Sequence, residues 1–155
     1  MRAIAFVALM ACAVACPSAL AHTQAAPAQQ ASLAYKLGRQ YRNGNGVVAD
    51  SARAFVYFEQ AARSHHPAAM FAMSNMLAAG EGVARDDIAA RRWLEAAAQM
   101  DYPEALQQMA LHVQDGTLGY TRDERRALQL LRATAHAMKH RVEPLAGAGA
   151  DAGQP

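Results

Sequence analysis

The residues with chemistry to offer are six histidines, two cysteines, a few acidic and basic pairs, and two glycine-rich turns. His136 and His140 stand four residues apart, a helical spacing at which two imidazoles share a metal ion. No third ligand accompanies them, and histidines in the last turn of a helix are also favoured by its negative end. The same reading covers His65 and His66, just before Pro67. His22 becomes the first residue if the chain is processed behind Ala21, and there its imidazole and the free amine can chelate copper. Gly44-Asn45-Gly46 and Gly80-Glu81-Gly82 resemble phosphate-cradling turns only superficially, because neither follows a strand nor has a nearby lysine. They read as loop punctuation. Asp86-Asp87 and Asp123-Glu124 fall where helices start and negative charge is favoured without any catalytic role. Arg91-Arg92 and Arg125-Arg126 read as a solvated helix face shared with Glu95. The sequence therefore predicts no enzyme, no cofactor and no metal centre.

Composition narrows the elements that carry these residues. Of 155 residues, 53% are hydrophobic and only 6% aromatic. About a quarter are alanine, which favours closely packed helices. The net charge is +2, with no clustered basic face, and this argues against a nucleic-acid partner. The length allows one domain.

Residues 1–21 read as an export signal. Arg2 supplies the positive charge, Ala3 to Ala15 the apolar run, and Ala19-Leu20-Ala21 the cleavage pattern. The run is too short to span a membrane, which takes about 20 apolar residues. A periplasmic or secreted location is expected. Cys12 and Cys16 both lie inside the signal, and lipid anchoring through either is the alternative. A chain cleaved after Ala21 has no cysteine and can form no disulfide. Residues 22–31 read as a disordered leader and 142–155, glycine-rich, as a disordered tail, leaving a folded part at 32–141.

Within that part the sequence repeats itself. The stretch from Ala34 aligns without a gap on the stretch from Met70. Gly44 falls on Gly80, Gly46 on Gly82, Asp50 on Asp86, Ala54 on Ala90, Tyr57 on Trp93 and Pro67 on Pro103. A third unit continues the register to Gly116, gains one loop residue, and resumes with Asp123, Ala127 and Leu131. The units span about 33–66, 67–102 and 103–140. Each reads as two helices: an apolar stripe such as Ala34, Leu37, Gly38 and Tyr41, a glycine stop, an aspartate N-cap, and a second stripe. Six helices are expected near 32–43, 51–65, 68–79, 87–100, 104–115 and 124–140, with Tyr41, Tyr57, Phe58 and Trp93 filling the space between units. So short a helix pair cannot bury its apolar side alone, and the units must stack.

The series A-x-x-LG-x-x-Y-x-x-G-x-GV-x-x-D, followed by A-x-x-(Y/W)-(F/L)-x-x-AA, resembles the Sel1-like repeat, a relative of the tetratricopeptide repeat. The second unit departs from it at Ser74 and Leu77, the third at Gln107, Val113 and Leu118. The resemblance implies an all-α, right-handed α-solenoid of three helix-turn-helix repeats, serving as a non-catalytic scaffold for protein partners of the cell envelope. Cysteine-rich secreted members of the family act on penicillin-type compounds and carry a disulfide in each repeat. The lack of cysteine after residue 16 removes that expectation. A small-molecule or copper- or zinc-binding protein of the same compartment is the alternative reading.

First helices line the concave side in this family, so the resemblance also implies a working surface. Opposite the stripe of the first helix lie Lys36, Arg39 and Asn43. The repeat carries these to Ala72, Asn75 and Ala79, then to Gln108, Leu111 and Asp115. One shallow groove is expected, flanked by Tyr35 and Phe71, basic at the Lys36 and Arg39 end and apolar near Leu111.

Overall fold

Local signals set the helix ends. Pro67 and Pro103 open their helices at a position where the missing N–H costs nothing. Gly80 and Gly116 close the same helices in the left-handed conformation that glycine adopts without strain. Asp50, Asp86 and Asp123 then cap the following helices, each side chain accepting from a backbone N–H in the first turn. The N–H groups of these three aspartates donate to the carbonyls of Tyr41, Leu77 and Val113, so each cap also ties the loop back to the helix it left.

The computed structural model describes residues 27–146. Among them are six α-helices and no strand: α1 (Pro27–Asn43), α2 (Ser51–Arg63), α3 (Pro67–Ala79), α4 (Asp87–Gln99), α5 (Pro103–Asp115) and α6 (Glu124–Ala146). Helices pack in sequence order, α1 on α2, α2 on α3, and so on to α6. This is an all-α solenoid of three helix pairs. The expected export signal with Cys12 and Cys16, His22 and the end of the expected tail lie outside the described residues.

The core runs along the axis of the stack. Its largest fully buried side chains are Phe58, Met73, Met76, Leu94 and Val113, with alanines such as Ala54, Ala61, Ala90 and Ala97 letting the backbones approach. Gly38 shows how tightly: a Cβ there would lie 2.7 Å from the Phe58 ring. The positions equivalent to Gly38 hold Ser74 and Ala110, and those equivalent to Phe58 hold Leu94 and Leu131. The small side grows where the large side shrinks, and Ser74 is the physical counterpart of Leu94.

Several expectations are corrected. α1 starts at Pro27, so 27–31 of the expected leader are helical, and Ala31 is buried. Glutamine and alanine are good helix formers, and this apolar face had a core to join. α6 continues through 142–146 of the expected tail. α2 stops at Arg63, not 65, because Ser64, His65 and His66 make a closing turn. Trp93 is half-buried against the core, while its neighbour Leu94 is fully buried. Leu37 and Tyr41 are likewise half-buried.

Candidate protein-docking surface

Two aromatic pairs, one repeat apart, build the floor of the surface. Tyr35 on α1 stacks on His66 with ring centroids 4.6 Å apart, and Phe71 on α3 meets Tyr102 at 5.6 Å. His66 and Tyr102 are equivalent residues, each just before the proline that opens the next repeat. Their placement follows from the turn behind them. The N–H groups of His66 and Tyr102 reach back to the carbonyls of Ala61 and Ala97, and the residue before each, His65 or Asp101, takes a positive φ of 56° or 53°. That left-handed step aims the next side chain back at the first helix of its own repeat.

His66 is also the N-cap of α3, its Nδ1 accepting from the Ala69 N–H at 3.3 Å. Burial lowers its pKa, so the neutral ring that can accept this bond is the favoured form. Tyr102 has its hydroxyl pKa raised, first by burial, then by the Glu104 carboxylate and Tyr35. Glu104 Oε1 accepts from Arg141 at 2.9 Å, joining the start of α5 to the end of α6, while its Oε2 is buried without a hydrogen-bond partner.

Around these pairs lie two clefts. The larger, about 650 Å³, takes Tyr35 and Arg39 from α1, His66 and Tyr102 from the repeat junctions, and His140 and Arg141 from α6. This one cleft therefore takes residues from all three repeats. The smaller, about 370 Å³, lies between Phe71 on α3 and Gln108, Leu111, His112 and Asp115 on α5. Tyr35 and Arg39 thus sit in one cleft and Phe71, Gln108 and Leu111 in the other. Lys36, exposed, and Asn75, half-buried, line neither. Ala72 is buried and forms no part of a groove. The expected single groove is two clefts divided by the Phe71–Tyr102 pair and by the Glu104–Arg141 bridge.

Sequence reasoning missed His66, Tyr102, Glu104 and Arg141. Only the repeat alignment carried a signal, since His66 and Tyr102 precede aligned prolines. Nothing local shows that α6 reaches back to α5. The His136 and His140 rings do meet, Nε2 to Nε2 at 3.1 Å, one donating and the other accepting. No group of three metal-ligating side chains occurs among the described residues.

The Sel1 repeat model matches residues 31–66, 67–102 and 103–137, most of the chain. A solved Sel1 repeat protein from Oxalobacter formigenes is 29% identical with a TM-score of 0.67, over 69% of this chain and 43% of its own. A protective antigen of uropathogenic Escherichia coli strains that displays an SLR fold is 30% identical with a TM-score of 0.64, over 68% of this chain and 22% of its own. The chain therefore spans less than half the length of either. No curated protein sequence matches it.

Proposed function

Because the chain belongs to the Sel1 repeat family, whose repeats generally mediate protein–protein interaction, we propose that it is a non-catalytic docking module of the bacterial cell envelope. Its two clefts take an extended segment of a protein partner. The carrying observation is the larger cleft, where half-buried Tyr35, His66 and Tyr102 offer apolar faces with polar tips. Such rings are usual anchors of an interface. The segment carries an acidic group at one end. Arg39 is exposed at the rim and has no ion pair among the described residues, whereas Arg141 is already held by Glu104. An apolar side chain of the same segment fits the smaller cleft beside Phe71 and Leu111.

The export signal at residues 1–21 supports the envelope location, periplasmic or secreted. In-cell crosslinking followed by mass spectrometry identifies the partner, and Tyr35→Ala, Arg39→Glu and Leu111→Asp test the site. Each should reduce partner retrieval at least tenfold with helicity unchanged, about 1.4 kcal/mol or more. Full retrieval by all three variants overturns the assignment.

A further inference from the structure

Among the described residues, the surfaces that mate repeat to repeat are open on the first and last repeats, and they match each other. Phe58 and Leu94, in repeats that another repeat follows, are 1% and 0% exposed, whereas the equivalent Leu131 on α6, with no repeat after it among the described residues, is 40% exposed. Ala62 and Ala98 are buried, and the equivalent Ala135 is exposed. At the other end, Ala69 and Ala105 are 0% exposed against a preceding repeat, while the equivalent Leu33 on α1 is 58% exposed. Gln40 is exposed where Met76 is buried. Beside Leu131, a cleft of about 200 Å³ opens between Gln114, Glu124 and Leu128.

The polar groups at the two ends also fit. At the first junction Arg42 and Ser51 donate to Glu81, and Gly82 lies so close to the Ser51 backbone that a Cβ would be 2.4 Å from it. At the open end Gln114 and Glu124 occupy the places of Arg42 and Ser51. In the first loop Asn45 and Gly46 occupy those of Glu81 and Gly82, and Gly46 has nothing within 4 Å of where a Cβ would stand. The donor and acceptor roles are exchanged. Glu124 is an acceptor, and Asn45 brings an amide N–H₂ where a glutamate would be repelled.

We infer that a second copy of this chain docks its α1 and first loop on the exposed α6 face, continuing the repeat stack head to tail. The residues that define this contact, Leu33 and Leu131, lie outside the two clefts, so chains can associate without closing them. A head-to-tail contact leaves one free end on each side, and the product is open.

Sedimentation velocity on the purified chain, as the cell processes it, tests this. The weight-average mass should rise with concentration past the dimer. Leu33→Glu and Leu131→Glu should each remain monomeric, the dissociation constant rising at least tenfold, with unchanged helicity because both side chains are at the surface. Ala135→Arg gives an independent block of the α6 face. Mixed in equal amounts, Leu33→Glu and Leu131→Glu should form a dimer and nothing larger, since the mixture restores one good pairing. A chain monomeric at every concentration overturns the inference. So does association abolished by Leu131→Glu but untouched by Leu33→Glu, which would mean α6 pairing with itself, or a mixture that stays monomeric.

Discussion

Arg42 on α1 and Glu81 in the loop after α3, 39 residues apart, form a two-point ion pair. Nε donates to Oε1 at 2.9 Å and Nη2 to Oε2 at 2.6 Å. It bolts the first repeat to the second on the loop side, where the Ser51 hydroxyl adds a bond to the same carboxylate. Both side chains keep about a third of their surface in water, 35% and 29%, which limits the pair's worth. Glu81→Gln should cost about 0.5–1 kcal/mol at neutral pH.

The same pair sets an acid limit on stability. Arg42's hydrogen bond, more than any other contact, holds the Glu81 pKa below its ordinary 4.5. A carboxylate whose folded pKa is depressed contributes stability above its unfolded pKa and loses it as pH falls through the folded one. Denaturant midpoints measured from pH 6 down to pH 2 should show wild type losing more than Glu81→Gln below pH 4.5. Parallel curves for the two would show that the pair contributes nothing.

Gly38 is predicted to resist a change that helix propensity favours. Alanine is better than glycine in a helix by about 1 kcal/mol. A methyl group here would instead meet a ring that is 1% exposed and held on all sides. Overpacking costs about 1–3 kcal/mol, so Gly38→Ala should be net destabilising. The second repeat shows the remedy. Gly38→Ser combined with Phe58→Leu copies Ser74 and Leu94, and the double variant should be more stable than the sum of the single losses by about 1 kcal/mol. Additive losses would mean that the two sites do not share one volume.

His65 and Asp101 end α2 and α4 in the left-handed region, φ 56° and 53°. The turn needs this conformation because the N–H groups of the two residues after the cap must both reach back into the helix. Glycine adopts it without a Cβ clash. His65→Gly should raise stability by about 0.5–1 kcal/mol, and Asp101→Gly by less, since aspartate tolerates the region better than histidine. Thermal unfolding of the two variants checks the order, and a loss of stability in both would count against the assigned turn.

The repeat pattern was legible in the sequence because its signals are local. A glycine that ends a helix and an aspartate that caps the next act within four or five residues, so six helices, their order and the stacked architecture follow from spacing alone. Tyr35, Arg39, Phe71, Gln108 and Leu111 were placed on the first helices by the same arithmetic. What periodicity leaves open is which of two adjacent apolar residues enters the core. Phe58 and Leu94 are buried while their neighbours Tyr57 and Trp93 stay half-exposed, and for Phe58 the cover comes from another helix, Gly38 and Tyr35 on α1. The pairing of Tyr35 with His66, the bridge from Glu104 to Arg141, and the partition of one expected groove into two clefts join residues from 31 to 37 positions apart. Burial and contact at that separation are set by how whole helices pack, and only the tertiary structure decided them.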